Sequence, residues 1–217
     1  MKVNEIFTSI EGEGKRAGAL ATFIRLAGCN LRCSYCDTRY ALSISCGEEM
    51  ALDEILKKVR EISIGKYVTL TGGEPFYQGD EVNTLIQLLI EDGYEVNVET
   101  NGSYVPTLCS RPGSLFYTMD YKGPSSNEET AMQDKAFDML TTNDVLKFVV
   151  GCREDLDAAR HFLMNRLRTY PQIYFSPIFG SIEAKEIVDY LKEHKLSVCK
   201  VQLQLHKYIW DPNERGV

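Results

Sequence analysis

The stretch YVTLTGGEPFYQGDEVNTLIQLLIEDGYEVNV, residues 67–98, sets the fold. Residues 67–70 and 94–98 are apolar and β-branched runs of strand length, while Val82, Leu85, Ile86 and Leu89 recur at helical spacing and form one stripe. Gly93 follows where a helix would stop. Strand, helix and strand in succession is the unit that joins parallel strands through a right-handed crossover. Outward from it the pattern repeats. Further strands are predicted over 21–26, 115–119, 145–150, 172–175 and 198–203, several nearly continuous in apolar character, as strands buried on both faces tend to be. Leu52, Ile55, Leu56 and Val59 form another helical stripe, and Leu156, Ala159, Leu163 and Leu167 a third. Ile187, Tyr190 and Leu191 form a fourth, starting after Ser181 as N-cap. The alternation predicts an α/β fold, a barrel of parallel strands, open or closed, with a partial, open TIM-like form expected. In such folds the chemistry sits at the carboxyl ends of the strands. Residues 122–142 read as a long loop with at most one poor helix, and no repeat or linker divides the chain, so residues 1–217 are read as one domain.

The chain has 217 residues, 44% hydrophobic and 25% charged, an ordinary balance for a soluble protein with no apolar run of membrane-spanning length. Its start, MKVNEIFTSIEGEG, has no basic region followed by an apolar block, so a cytoplasmic location is expected. A net charge of -7 argues against a broad nucleic-acid footprint and favours a small-molecule substrate. Seven cysteines in such a chain point to metal ligation or buried thiols before disulfides.

Directly after the predicted strand 21–26 comes GCNLRCSYCDT, residues 28–38, with Cys29, Cys33 and Cys36 on one short loop. Three thiolates that converge suit zinc or an iron-sulfur cluster. A structural zinc site wants a fourth ligand, for which Cys46 is the available thiol; His161, His194 and His206 lack zinc-finger spacing. A cluster on three cysteines instead keeps one iron open to a substrate.

Other loops on the same rim add to this. TGGEP, residues 71–75, offers through Gly72, Gly73 and Glu74 a backbone that a ligand can approach closely. ETNG, residues 99–102, puts the Glu99 carboxylate at a strand end, where it can accept hydrogen bonds from hydroxyls. MDYKGPSS, residues 119–126, and SPIF, residues 176–179, end two further strands. Lys122 can neutralise a carboxylate or orient a loop, the alternative being a solvated side chain.

The three-cysteine spacing, with Tyr35 just before the last cysteine, resembles the signature of the radical S-adenosylmethionine superfamily. The resemblance implies a 4Fe-4S cluster on Cys29, Cys33 and Cys36 whose open iron chelates the methionine half of S-adenosylmethionine, and one-electron cleavage to a 5'-deoxyadenosyl radical. SIEGEGKRAG (residues 9–18), FIRLAGC (23–29), CDT (36–38) and QLHKYIW (204–210) together resemble the 7-carboxy-7-deazaguanine synthase family across nearly the whole chain. This narrower resemblance implies conversion of 6-carboxy-5,6,7,8-tetrahydropterin to 7-carboxy-7-deazaguanine with loss of ammonia, in queuosine and other deazapurine biosynthesis. It also implies a magnesium ion, an electron donor such as flavodoxin or ferredoxin, and a homodimer.

Carried onto this chain, the family pattern gives Thr38 to magnesium, consistent with that ion's preference for hard oxygen ligands. It places Ile10, Glu11, Gly12 and Glu13 along the pterin, Arg25 on its carboxylate as a bidentate fork, Thr71 and His206 on other polar edges, and Val217 at the substrate. Around S-adenosylmethionine it places Tyr35, Cys36, Asp37, Gly72, Gly73, Glu74, Glu99, Asp120, Tyr121 and Lys122, with Ser176, Pro177, Ile178 and Phe179. Glu13 and His206 are the candidates for proton transfer. Many relatives have Gln in place of Glu11 and Ser-Pro-Lys in place of residues 120–122, so these contacts depart from the pattern.

Two rival readings remain at this point: a glycyl-radical activase of the same superfamily, which would lack EGEG and QLHK, and a noncatalytic zinc-binding module. Cys46, Cys109, Cys152 and Cys199 are expected to be small, partly buried apolar residues. His161 and His194 are expected at the surface, His194 near a helix C-terminus. Tyr208 and Trp210 are expected to pack over the barrel or at a subunit contact. The acidic stretch after Cys152 reads as a helix N-terminal turn.

Overall fold

The computed structural model describes residues 1–212 and 214–217. Two antiparallel strands begin the chain, β1 (Lys2–Ile10) and β2 (Leu20–Leu26), with Phe7 opposite Phe23 and Glu5 opposite Arg25. A two-residue strand, β3 (Glu48–Glu49), pairs with β1. From β2 onward all neighbours are parallel: β4 (Tyr67–Gly72), β5 (Glu95–Thr100), β6 (Leu115–Lys122), β7 (Val145–Val150), β8 (Gln172–Pro177) and β9 (Cys199–Val201). The sheet order is β3-β1-β2-β4-β5-β6-β7-β8-β9, so β3 and β9 are free ends and the barrel is open.

The helices are α1 (Leu52–Ile62), α2 (Glu81–Glu91), α3 (Asp134–Phe137), α4 (Arg153–Asn165), α5 (Ala184–Glu193) and α6 (His206–Ile209). Their apolar stripes face the sheet. Val82, Leu85, Ile86 and Leu89 of α2 are completely buried, as are Ile55 and Val59 of α1. In α4, Phe162 reaches the core with Leu156 and Ala159, while the expected Leu163 is half-buried and Leu167 lies beyond the helix end. Glu154 and Asp155 do occupy the first turn of α4. The N-cap of α5 is Glu183 rather than Ser181: its backbone N–H donates to Glu186 Oε1 at 3.2 Å, which fixes the first turn two residues later. None of the described helices is long and apolar enough to cross a membrane.

Two departures from the predicted strands have simple causes. β1 escapes the apolar-run criterion because most of its residues are only half-buried. β9 shrinks from 198–203 to three residues because it is an edge strand with one neighbour, leaving Val198 72% exposed.

The hairpin loop of residues 11–19 fills the interior that the open sheet would otherwise leave empty. Arg16 Nη2 lies 2.6 Å from Glu11 Oε1 and donates to Thr69 Oγ1 and the Val68 carbonyl, while Nη1 donates to the Glu95 carbonyl. The guanidinium rests on the Tyr67 and Phe116 rings. Lys15 Nζ donates to the Asn143 carbonyl at 2.7 Å. These partners stand at the beginnings of β4, β5, β6 and β7, so Lys15 and Arg16 plug the amino-terminal mouth of the barrel. Glu11 is 1% exposed, and burial pushes its carboxyl up in spite of Arg16. Arg16→Ala strands that carboxyl without a cation and is expected to lower stability by about 3 kcal/mol, read as a fall in urea midpoint; a loss below about 1 kcal/mol would show that the plug supports nothing.

Candidate active site

A cavity of about 290 Å³ opens at the carboxyl ends of the parallel strands, the size of a small-molecule site. Its wall takes Arg25 from β2, Thr71 and Gly72 from β4, Glu99 from β5, Asp120 and Lys122 from β6 and Lys147 from β7. The loop after β2 adds all three cysteines of the 28–38 motif together with Tyr35, Asp37 and Thr38. Ile10, Gly12 and Glu13 reach it from the hairpin, Ile178 and Phe179 from the end of β8, and His206 and Val217 from the last segment. Gly73 also lines it.

The cysteine loop is shaped by backbone hydrogen bonds to its surroundings. Gly28 N–H donates to the Ala41 carbonyl, Cys29 N–H to Leu42, Cys36 N–H to Cys33 and Ser34 N–H to Ser126. Arg39 donates to the carbonyls of Ser34 and Cys36. Gly73 presses against the loop's start: a Cβ there would lie 2.2 Å from the Gly28 carbonyl oxygen, so only glycine fits. The amides of Gly73 and Glu74 already donate to Leu26 and Gly28, and the Glu74 carbonyl accepts from Tyr77 N–H, so the Gly73 carbonyl is the group of this pair that can meet a ligand.

Burial raises all three cysteine thiols above their ordinary range, Cys33 to about 11. They are protonated thiols in the metal-free chain, and any metal bound there displaces their protons. Asn101 Nδ2 points at Cys29 Sγ from 3.8 Å. Among the described residues no three His, Cys, Asp or Glu side chains gather around a single ion. Cys46, the thiol available as a fourth ligand, is exposed and does not line the cavity. Cys29, Cys33 and Cys36 thus line the cavity from one loop, and no fourth thiol lines it with them among the described residues.

A row of alternating charges crosses the cavity floor. Glu13 Oε2 lies 3.0 Å from Lys147 Nζ, which lies 3.1 Å from Asp120 Oδ1; Asp120 Oδ2 is 2.7 Å from Lys122 Nζ. Ser176 Oγ donates to Glu13 Oε1 at 2.5 Å, and Gln204 Nε2 to Glu13 Oε2 at 3.3 Å. Burial by itself would raise Glu13, but Lys147 and the Ser176 hydroxyl outweigh it and leave the carboxyl below its usual range. Asp120 is lowered in the same way, burial being overcome by Lys122 and Lys147. Glu99 accepts from Thr71 Oγ1 at 2.8 Å, and its burial wins over Lys147, pushing the carboxyl up to about 7.

At the hairpin wall Arg25 Nε donates to Glu5 Oε1 at 2.6 Å, between the rings of Phe7 and Tyr40. Its Nε is thereby occupied, so the fork expected for a carboxylate narrows to the two Nη nitrogens. The His206 ring packs on Gly12, where a Cβ would fall 2.1 Å from Nδ1, and burial lowers the His206 pKa. Thr38 Oγ1 donates to Asp37 Oδ1 at 3.0 Å, and Lys207 Nζ pairs with Asp37 Oδ2 at 2.9 Å. These hydroxyl and carboxylate oxygens are hard donors of the kind magnesium takes. Arg215 lies over the Tyr40 ring at 3.8 Å, folding the last residues across the mouth.

Five expected contacts do not face the cavity. Glu11 is turned inward to Arg16 and Thr69. Glu74 is fully buried and accepts from Phe76 N–H, Thr100 Oγ1 and Asn101 N–H, tying the TGGEP turn to the ETNG turn. Tyr121 alternates away from Asp120 and Lys122 and packs among Phe137, Phe148 and Phe162. Ser176 is fully buried beneath Glu13, and Pro177, its neighbour along β8, lies outside the lining. The structure adds Lys147, and it adds Asn101, Gln204 and Lys207, which stand in the ETNG and QLHKYIW motifs without having been given a role of their own. Lys147 left one signal, a charge in the otherwise apolar run VLKFVV.

Elsewhere, Cys46, at the end of a single exposed 3-10 turn, and Cys109 are exposed rather than partly buried, whereas Cys152 and Cys199 are half-buried. His161 is exposed; His194 is half-buried against the Tyr190 ring instead of lying at the surface. Tyr208 meets Phe179 edge-on beside the cavity and is 65% exposed.

A model of the Radical SAM superfamily matches residues 23–111. The 7-carboxy-7-deazaguanine synthase of Clostridium acetobutylicum is 42% identical over 219 residues, covering 100% of this chain and 99% of that protein. The enzyme of that name from Methanospirillum hungatei is 42% identical, covering 98% of this chain and 86% of that protein. The crystal structure of QueE from Escherichia coli shares the fold with a TM-score of 0.74 and 22% identity, covering 94% of this chain and 93% of that one.

Glu74→Ala leaves three buried donors without an acceptor. It is expected to cost about 3 kcal/mol and to reduce the iron taken up on anaerobic reconstitution, since the turn it anchors supports the cysteine loop. Full iron loading with parental stability would remove Glu74 from that role.

Proposed function

The chain belongs to the 7-carboxy-7-deazaguanine synthase family of the radical S-adenosylmethionine superfamily, and from that premise we propose that it contracts 6-carboxy-5,6,7,8-tetrahydropterin to 7-carboxy-7-deazaguanine with loss of ammonia, a step toward queuosine and related deazapurines. The observation that carries the reading is that one cavity joins the three-thiol loop on one wall to Glu13, Arg25, Thr71 and His206 on the other. Family membership implies a 4Fe-4S cluster and S-adenosylmethionine, and Cys29, Cys33 and Cys36 are the residues that would hold the cluster. When bound, these groups supply one-electron chemistry that cleaves the sulfonium and starts hydrogen-atom abstraction from the pterin. An external reductant, a flavodoxin or ferredoxin, is needed for that electron. Homodimeric assembly rests on the family resemblance, and a cytoplasmic location on the reading of residues 1–14 given above.

The chain's own residues bind, orient and handle protons. The Nη groups of Arg25 take the substrate carboxylate, and the ionised Glu13 accepts from the pterin's N–H edge. Gly12 lets the substrate lie against backbone beside the His206 ring. With its pKa lowered by burial, His206 is mostly neutral near pH 7 and can accept a proton. Glu99, near 7, can hold or release one at the same pH, and Thr71 keeps its carboxyl oriented. Phe7, Phe23 and Phe179 make the cavity's apolar surfaces and keep water from the reacting carbon. The Tyr35–Asp37 backbone, the Lys122 side chain and residues 178–179 are assigned to S-adenosylmethionine, and Thr38 to magnesium.

Two experiments check this. Anaerobically loaded, reduced protein given S-adenosylmethionine, magnesium and the carboxypterin, with no partner protein, is expected to form 7-carboxy-7-deazaguanine and ammonium; absence of product from protein with full iron and sulfide would falsify the reading and leave the activase alternative. Thr38→Ala is expected to lower activity and flatten its magnesium response without changing iron content. An unaltered magnesium dependence takes Thr38 out of the site.

A further inference from the structure

Lys147 sits in the middle of an apolar strand, yet its side chain is only 8% exposed and its ammonium lines the cavity. Strand register sets it level with Asp120 on β6, and both side chains turn into the barrel. The two carboxylates it touches come from opposite walls. Glu13 belongs to the hairpin loop, next to Gly12 and its His206 cover. Asp120 belongs to β6 and shares its second oxygen with Lys122, whose ammonium stands 6.0 Å from the ring centre of Tyr35 in the cysteine loop. One ammonium therefore bridges the hairpin side and the cysteine side of the row.

We propose that Lys147 is a positioning residue that couples the substrate wall of the cavity to its cofactor wall, by fixing Glu13 against Asp120; this rests on the reading of the two walls given above. The geometry requires a cation at that point. Glu13 from the hairpin, Asp120 from β6 and Glu99 from β5 all face Lys147, Lys122 holds the other oxygen of Asp120, and the His206 ring feels both Glu13 and Lys147. Burial would lower the Lys147 pKa, but these three carboxylates raise it well above its ordinary value, so it stays charged through the working range. Without it, buried carboxylates face one another, and the cheapest relief is protonation of one of them with a shift of the hairpin loop.

The sign of the pH effect follows. In the parent, Glu13 and Asp120 are lowered, so they contribute stability above the unfolded-state pKa that is lost as pH falls through the folded values. With Lys147 gone, burial is no longer outweighed, the carboxyl pKa rises, and the folded chain is favoured by acid. The stability gap between parent and variant therefore narrows as pH falls.

The test compares cluster-loaded parent, Lys147→Met and Lys147→Arg. Lys147→Met is expected to slow product formation about a hundredfold while still cleaving S-adenosylmethionine, so that product formed per 5'-deoxyadenosine falls; Lys147→Arg, which keeps the cation, restores most of the ratio. The thermal midpoint of Lys147→Met is expected to lie below the parent's by a margin that shrinks from about pH 8 to about pH 5. An unchanged product-to-cleavage ratio in Lys147→Met overturns the coupling, whatever the midpoints do. If the parent itself makes no deazaguanine, the functional reading has failed separately, and Lys147 is then judged on the midpoints: a margin independent of pH overturns it. Should Lys147→Met not take up iron, Lys147→Gln enters the same measurements.

Discussion

Two hydrogen bonds between the backbone of Gly14 and the side-chain amide of Gln202, at 2.7 and 2.9 Å, tie the hairpin loop to the chain that follows β9. The Leu205 N–H adds a third to the Gly12 carbonyl. A parallel sheet that stops short of closure has two ends with unmet backbone groups and an interior open from the side. Here the first loop of the chain and the segment after the last strand meet across that opening. Everything the hairpin or the last segment brings to the cavity, Gly12 and Glu13 from one, Gln204 and His206 from the other, depends on this tie.

The same loop divides the barrel into two ends with different duties. Lys15 and Arg16 close the amino-terminal mouth with carbonyl acceptors and aromatic faces. Two residues before Lys15, Glu13 opens into the carboxyl-terminal cavity. The loop thus anchors itself at one end so that its other end can present an ionised carboxylate in a fixed place. Burying that carboxylate is tolerable because the row continues through Lys147, Asp120 and Lys122 in alternating sign, each with a partner within hydrogen-bond distance.

The parallel strands were legible in the sequence because burial on both faces makes them continuously apolar, and their loops were legible because chemistry at strand ends needs unusual residue types. β1 was not, since a strand covered on one side carries only a weak alternation, further blurred by Asn4 and Glu5. The glycines of the TGGEP turn suggest close approach of a ligand, whereas what lies against Gly73 in the structure is the Gly28 carbonyl, a contact set by the pairing of β2 with β4. Lys147 was hidden for a similar reason: its partners Glu13 and Asp120 lie far away along the chain, and only strand register and the tie at Gly14 bring them level. Glu74 and Tyr121 stand within motifs whose neighbours face the cavity, so a reading by motif could not tell which members turn inward.

The cysteine loop has almost no regular structure of its own, so its shape must come from what it leans on. Glu74 N–H donates to Gly28, Asn101 reaches Asn30 Oδ1 and Cys29 Sγ, and the Ser126 carbonyl accepts from Ser34 N–H. These supports come from the ends of β4, β5 and β6 in turn. Glu74 then binds the first two supports to each other through Thr100 and Asn101. The positions of three thiols are consequently a property of three strand ends, and a change in any of the turns after β4, β5 or β6 is transmitted to them. That is a physical reason for the motifs to occur together along one chain: GCNLRCSYCDT, TGGEP, ETNG and the turn after β6 are one mechanical unit, distributed through the sequence because parallel strands need long crossovers between neighbours.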